Sequence, residues 1–165
     1  KCRYPTTLCH AFITYVRPLL EYCSHVWSPC YLTYICRLER VQRRFTRRLS
    51  GMNRFSYLER LVKLGLESLE LRRLKFDLIM VYKILHGLLC VDKSIFEYCS
   101  SDNLRGHNCR LVRPVTSINS RFHSFVSRVV NPWNSLPQTA VDAVNIVAFK
   151  SSLNRINFSQ FTHVL

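Results

Sequence analysis

Six arginines stand within twelve residues of this chain, and their type and spacing suit one chemical task. They are Arg37, Arg40, Arg43, Arg44, Arg47 and Arg48. A guanidinium holds a phosphate through charge-assisted, often bidentate hydrogen bonds, and such contacts carry little sequence information. The run therefore predicts a surface that binds a nucleic-acid backbone, with Arg72, Arg73 and Lys75 as outer candidates.

Other interpretations of the arginine run stay open at this point. A charge run is usually the solvated face of an amphipathic helix, and a basic amphipathic helix also suits a membrane surface or calmodulin. Solvated helices normally interleave Glu with Lys and Arg, whereas one sign predominates here. The modest apolar stripe is needed for the core, so we expect no membrane partner.

The net charge also indicates an acidic partner. The 165 residues include 24 Lys+Arg and 10 Asp+Glu, a formal charge of +14. Between Arg37 and Lys75 the counts are 12 and 4, an excess of +8 in less than a quarter of the chain. Nucleic acid is the commonest partner of such a patch, an anionic membrane is the second, and simple solvation is the alternative.

Catalytic and metal-binding patterns are missing, so we predict no catalytic residue and no metal ligand. There is no Asp-Asp pair for two Mg²⁺ ions, no Gly-x-Ser-x-Gly turn and no His-Glu-x-x-His motif. Ion pairs such as Glu39 with Arg43 are expected to account for the acidic residues. The eight cysteines include no Cys-x-x-Cys pair, so free thiols in a reducing, intracellular compartment are expected.

Apolar residues at helical spacing predict the element that positions the arginines. The stripe steps by three or four through Ile35, Leu38, Val41, Phe45 and Leu49. The arginines then occupy the remaining faces of the same helix, which ends near a glycine suited to a C-cap. We expect the apolar stripe to lie in the core and the arginines to lie in solvent.

Further signals give the fold class. Ser56 and Glu59 form a capping box, and a longer helix is expected over residues 68–86. An alternating stretch favours a short β-hairpin around residues 105–118 or an extended loop. The sequence thus predicts a mostly α bundle of about six helices, with a helical region carrying the arginines at 1–88 and a second helical region at 89–165.

The two tryptophans fall on apolar stripes. Trp27 and Trp133 are therefore expected in the core rather than stacked on bases.

Ordered blocks of the chain resemble the region downstream of the catalytic palm in non-LTR (LINE-type, jockey-like) retrotransposon reverse transcriptases. The first block begins Val16-Arg17-Pro18-Leu19-Leu20-Glu21-Tyr22, and a late one ends Asn131-Pro132-Trp133-Asn134-Ser135-Leu136-Pro137. The blocks are residues 16–29, 38–47, 57–61, 64–73, 77–87, 105–107 and 128–137, followed by Phe149, Lys150 and Leu153. They span nearly the whole chain in the family's order, which is more specific than any single block.

The resemblance implies the C-terminal part of an RNA-directed DNA polymerase, comprising the thumb and the region after it. This part would grip template–primer nucleic acid next to the upstream palm, in the nucleus. The parent enzyme uses Mg²⁺ held by palm aspartates, so this chain would itself carry neither catalytic aspartates nor a cofactor. The opening Lys1, in place of Met, agrees with a piece of a longer protein.

Two departures from the family's pattern, at Cys30 and near Tyr34, fit a degenerate copy. Two alternatives therefore remain: a domesticated helical adaptor whose arginine face meets an acidic protein, and an inert pseudogene fragment.

Overall fold

A computed structural model of the chain describes residues 4–99 and 106–163, and it is built mostly of α-helices. The prediction of a mostly α fold is confirmed. The elements in chain order are α1 (Pro5–Ala11), a π-helical turn (Phe12–Val16), α2 (Arg17–Glu21), α3 (Ser24–Trp27), α4 (Leu32–Arg48), α5 (Tyr57–Leu64), α6 (Leu69–Leu85), a 3₁₀ turn (Lys93–Ile95), α7 (Asn119–Phe122), α8 (Phe125–Asn134), α9 (Gln138–Val141), α10 (Ile146–Leu153) and a second 3₁₀ turn (Ser159–Phe161).

The chain divides into two compact units, and the division differs from the predicted one. Unit 1 runs to Arg73 and includes Thr162 and His163, whereas unit 2 is Leu74–Phe161. The sequence predicts that the boundary between the two helical regions lies between residues 88 and 89, after the end of the long helix. The division falls inside α6 instead, because the second half of that helix supplies the core of unit 2.

In unit 1, α1, the π-helical turn and α2 follow one another without a break. Pro18 lacks a backbone N–H, and its ring crowds the preceding turn of a regular α-helix. The wider turn accommodates this, with the Arg17 N–H donating to the Phe12 carbonyl five residues earlier. Phe12 is buried, and its ring stacks on Phe45 of α4 with 4.3 Å between the centroids.

The start of α5 follows its sequence signal. The Glu59 N–H donates to the Ser56 hydroxyl at 3.3 Å, and the Ser56 N–H donates to the Glu59 carboxylate at 2.7 Å. The helix ends at Gly65, whose φ of 62° lies in the left-handed region that glycine adopts without strain. The predicted capping box is confirmed, and it fixes the position at which α5 begins.

The core of unit 2 is an aromatic stack between helices. Tyr82 of α6 lies against Phe149 of α10 with 4.4 Å between ring centroids, and Trp133 of α8 lies 6.0 Å from Phe149. All three side chains are almost fully buried. The Tyr82 hydroxyl donates to the Ala143 carbonyl at 2.5 Å, so the phenol is satisfied inside the core.

Polar contacts complete unit 2. Arg128 of α8 donates twice to the buried Asp77 of α6, at 2.8 and 3.1 Å. Asn134 at the end of α8 accepts from the Leu111 N–H at 2.9 Å and donates to the Leu111 carbonyl at 2.8 Å. The amide side chain of Asn134 thereby holds the extended segment around Leu111 against the end of α8.

The extended segment around Leu111 pairs with residues near Tyr98, which differs from the predicted hairpin. Leu111 forms an isolated antiparallel bridge with Tyr98, flanked by a hydrogen bond from the Cys99 N–H to the Arg110 carbonyl at 2.9 Å. Of the two predicted alternatives, the hairpin at 105–118 does not form over residues 106–118, where the extended loop is found instead; residue 105 lies outside the described residues. Leu111 pairs instead with the segment near residue 98, while Asn134 bonds both backbone polar groups of Leu111.

The two tryptophans have different environments. Trp133 is buried as predicted, and its indole N–H donates to the Cys109 carbonyl at 2.9 Å. The prediction for Trp27 is wrong: its side chain is 40% exposed, and its indole N–H donates to the Tyr22 carbonyl at 2.6 Å. In the parts of the chain that the structure describes, no helix has the length and apolar character needed to cross a bilayer.

We expect Tyr82→Phe to lower the free energy of unfolding by about 1–2 kcal/mol, because it leaves the buried Ala143 carbonyl without a donor. Tyr98→Phe is the matched control, since Tyr98 is 43% exposed, and it should change stability by less than about 0.5 kcal/mol. Urea denaturation followed by circular dichroism measures both. Equal effects of the two substitutions would show that the Tyr82 hydrogen bond does not stabilise unit 2.

Candidate nucleic-acid interface

The six arginines of α4 lie along one side of the helix. With about 100° between successive residues, they occupy an arc of about 140°. All six side chains are exposed. They are therefore brought together on one solvent-facing surface, which we call the arginine face: Arg37, Arg40, Arg43, Arg44, Arg47 and Arg48.

The opposite side of α4 is buried, and its central residues are polar. It runs through Ile35, Glu39, Gln42, Thr46 and Leu49, with steps of four, three, four and three. The predicted stripe through Leu38, Val41 and Phe45 is thus displaced around the helix. Val41 is 39% exposed, and the other two are half-buried.

Glu39 anchors α4 to the two helices that follow it. Its two carboxylate oxygens accept from the Leu69 N–H, at 3.2 and 3.0 Å, at the start of α6. The Tyr57 hydroxyl, at the start of α5, donates to the same carboxylate. A carboxylate placed at the N-terminus of a helix, as that of Glu39 is at α6, is also favoured by the helix dipole. The side chain is 1% exposed, so these donors replace the water that the carboxylate loses.

Gln42 extends this polar contact. Its amide donates to the Glu67 carbonyl at 2.8 Å and to the Tyr57 hydroxyl at 3.1 Å. One turn later, Thr46 accepts from the guanidinium of Arg60 on α5 at 3.2 Å, and Arg60 also donates to the Phe55 carbonyl at 2.7 Å. The buried side of α4 is therefore held by directional hydrogen bonds, which fix its rotation.

The rotation of α4 determines the charge of its exposed side. Glu39 is the one acidic residue of the helix, and it points inward, away from the arginine face. The expected Glu39–Arg43 ion pair does not form, because the carboxylate is occupied by Leu69 and Tyr57. Within residues 4–99 and 106–163, none of the six arginines makes an ion pair.

Two of the six arginines are placed by aromatic rings. The guanidinium of Arg37 lies over Tyr34 at 5.5 Å from the ring centroid, and that of Arg43 lies over Tyr57 at 4.7 Å. Cation–π contacts orient a guanidinium without neutralising it. These two arginines are therefore pre-ordered and remain charged.

Like charges crowd the arginine face. Pairs of arginines separated by three or four positions repel by about 0.2–0.5 kcal/mol each on an exposed helix. Six such pairs occur: 37–40, 40–43, 44–47, 40–44, 43–47 and 44–48. The helix therefore carries a repulsion that a bound polyanion would relieve.

A groove runs along one edge of the arginine face. It has a volume of about 510 Å³ and lies between α4 and the preceding helical turns. Its apolar part is formed by Phe12, Val16, Val41 and Phe45. Four members of the arginine face also line it, and among the described residues no acidic side chain does: Arg37, Arg40, Arg44 and Arg48.

The three outer candidates have other environments. Arg72 pairs with Glu21 and also approaches Glu67 at 3.9 Å. Arg73 is 2% exposed, and Lys75 is 8% exposed with its ammonium donating to Asn154 at 2.8 Å. Because Arg73 and Lys75 are buried and Arg72 is paired, these residues do not extend the arginine face. Arg72 and Lys75 instead bond to other side chains of the fold.

No metal site is formed by the described part of the chain. No group of three or more His, Cys, Asp or Glu side chains there could hold an ion.

Sequence reasoning found the arginine face but missed what holds it. Glu39, Gln42 and Thr46 follow helical spacing with Ile35 and Leu49, so a signal was present. It was overlooked because polar residues are rarely buried without partners. The partners on α5 and α6 are not visible in the sequence of α4.

Comparison of the chain with protein-family models, with curated proteins and with solved structures finds no match.

We expect Glu39→Ala to lower the free energy of unfolding by roughly 3 kcal/mol, because the Leu69 N–H and the Tyr57 hydroxyl both lose their acceptor. Glu97→Ala is the control, since Glu97 is exposed, and its effect should stay below about 0.5 kcal/mol. Chemical denaturation measures both variants. A loss below about 1 kcal/mol for Glu39→Ala would contradict the anchoring role of the carboxylate.

The stability of unit 1 should also depend on the ionisation of Tyr57. Burial, the Glu39 charge and the hydrogen bond to Glu39 raise the pKa of Tyr57 well above its usual value of 10.0. The folded state therefore keeps Tyr57 protonated at a pH at which the unfolded chain releases the proton. The resulting stabilisation is complete below about pH 10 and is lost as the pH rises further.

The measurement that tests this compares how much the free energy of unfolding of the wild type and of each variant falls between about pH 9 and pH 11. Tyr57→Phe should lose less than the wild type over this interval, although it is less stable throughout. Tyr22→Phe, at an exposed tyrosine, should keep the wild-type loss. Identical losses in the wild type and Tyr57→Phe would contradict the assignment.

Proposed function

We propose that this chain is a helical nucleic-acid-binding module that grips the phosphate backbone of template–primer nucleic acid through the arginine face of α4. The observation that carries the proposal is the exposure of six arginines on one side of a helix whose one carboxylate is turned inward. Arginine–phosphate contacts fix position and register rather than base sequence. Binding should therefore be independent of sequence.

The length of the arginine face agrees with this proposal. From Arg37 to Arg48 the helix rises about 16 Å, at 1.5 Å per residue. A nucleic-acid strand in a duplex presents about five phosphates over that length, at one per 3.4 Å. The six guanidinium groups are thus close in number to the phosphates presented over that length.

The ordered sequence blocks support a more specific form of the proposal. On their basis, the module is the thumb-like C-terminal part of a LINE-type reverse transcriptase, next to the palm of the parent and acting in the nucleus. RNA-directed DNA polymerisation and its Mg²⁺ would belong to that palm. The role of this chain in the reaction would be to hold the substrate.

A second candidate uses the same surface. The apolar part of the groove beside the arginines would also suit an acidic protein, as expected for a domesticated helical adaptor. An inert fragment would bind neither partner. Binding measurements with nucleic acid separate the three.

The test is the salt dependence of binding to an RNA–DNA hybrid. We expect the logarithm of the association constant to fall linearly with the logarithm of salt concentration, because bound phosphates release counterions. Arg44→Ala combined with Arg47→Ala should make the slope shallower by about two, one unit for each phosphate contact removed. Fluorescence anisotropy with a labelled hybrid gives the slopes.

The control must change the net charge by the same amount. Arg121→Ala combined with Arg155→Ala also lowers the formal charge from +14 to +12, at exposed positions outside α4. It should leave the slope unchanged. Equal effects of the two double variants would indicate a diffuse charge effect, and no binding at ~50 mM salt would overturn the proposal altogether.

A further inference from the structure

The groove beside α4 has a feature that phosphate binding does not require. Val16 of the π-helical turn and Val41 of α4 are 37% and 39% exposed, and both line the groove. Behind them, Phe45 is held by its stacked contact with the buried Phe12. An apolar wall of this kind, bordered by arginines, suits a ligand that is both apolar and anionic.

We propose that the groove receives an unstacked base of single-stranded nucleic acid while the surrounding arginines hold the flanking phosphates. This inference rests on the proposed function, since it assigns the form of nucleic acid that the same site prefers. The groove has a volume of about 510 Å³, which lies within the range of roughly 300–1,000 Å³ typical of small-molecule sites. It can therefore accept more than a phosphate group.

The chemistry of the groove favours a single strand over a duplex. In a duplex the bases are stacked and paired, so only phosphates and sugars would meet the arginine face, and the valines would remain in water. In a single strand a base can leave the stack and bury its apolar face against the protein, and such contacts tolerate any base. Guanidinium groups can also stack on bases.

An exposed aromatic ring extends the apolar wall. Tyr34 lies on the same strip of α4 as Val41, seven residues earlier, and is 52% exposed. Arg37, which lines the groove, lies over the Tyr34 ring at 5.5 Å. A second base could stack on this ring next to the first, so the groove and Tyr34 would together follow a strand of a few nucleotides.

The charges favour a nucleic acid over an acidic peptide as the occupant. Four arginines line a short groove, and α4 places them every three or four residues beside its apolar part. A nucleic-acid strand supplies one phosphate charge per nucleotide and, between the phosphates, bases with apolar faces. A peptide would need acidic and apolar side chains in the same dense alternation.

The experiment compares three labelled probes of equal length, about 12 nucleotides: oligo(dT), an abasic strand with the same phosphates, and a duplex. We expect the full chain to bind oligo(dT) about tenfold more tightly than the abasic strand, because tenfold lies within the range that one stacked base contributes. The abasic strand measures phosphate binding alone. The duplex should behave like the abasic strand after correction for its number of charges.

Two pairs of variants assign the preference to the groove. Val16→Ser combined with Val41→Ser should remove most of the preference for oligo(dT), whereas Val62→Ser combined with Val147→Ser, at valines 83% and 71% exposed, should keep it. Tyr34→Ala should weaken oligo(dT) binding about fivefold, and Tyr22→Ala, at a tyrosine 77% exposed, should not. Circular dichroism melts establish that all variants are folded.

The outcomes separate this inference from the proposed function. Equal affinity for oligo(dT) and the abasic strand would overturn the groove assignment and leave phosphate binding intact. Failure to bind any of the three probes would overturn both. Displacement of oligo(dT) by an acidic amphipathic peptide at a lower concentration than by unlabelled oligo(dT) would overturn the inference in favour of a protein partner.

Discussion

The carboxylate of Glu39 determines which side of α4 meets solvent. A buried carboxylate must find hydrogen-bond donors, and the Leu69 N–H and the Tyr57 hydroxyl supply them. Rotation of the helix by half a turn would expose Glu39 to water and turn the arginines toward the core, so the bonds of Glu39 keep the arginines in solvent. The same interaction thus stabilises unit 1 and leaves the exposed side of α4 purely cationic.

This arrangement carries a cost in the isolated chain. The arginines repel one another, and the buried hydrogen bonds beneath them form only if α4, α5 and the start of α6 keep their register. Hydrogen bonds are directional, so Gln42, Thr46 and Arg60 hold that register more strictly than an apolar stripe would. A rigid cationic surface binds a polyanion with little loss of side-chain freedom, especially where Arg37 and Arg43 already lie on aromatic rings.

Much of the architecture could be predicted from local signals, because those signals act over a few residues. The capping box at Ser56, the glycine stop at Gly65 and the long helix after Ser68 are examples, and the arginine face follows from helical periodicity. The core stripe of α4 was misplaced because its partners are far away in sequence: Glu39 meets Leu69 thirty residues later. Burial of Arg73 and Lys75 depends likewise on contacts that the sequence does not display.

The groove could not be predicted for a related reason. It depends on Phe12 and Phe45 meeting across two elements, and on a π-helical turn whose presence before Pro18 is not evident from the sequence. Sequence periodicity counted Val41 as core, whereas the structure leaves it partly open beside the arginines. The exposure of the groove therefore depends on a helix rotation of a fraction of a turn.

In the proposed function the side chains of α4 themselves contact the phosphates, and NMR of the arginine Nε–H groups tests this contact most directly. On titration with an RNA–DNA hybrid, the signals of Arg40, Arg44 and Arg47 should shift and broaden, while those of Arg121 and Arg155 stay in place. If the signals of unit 2 shift and those of α4 do not, the arginine face is not the binding surface.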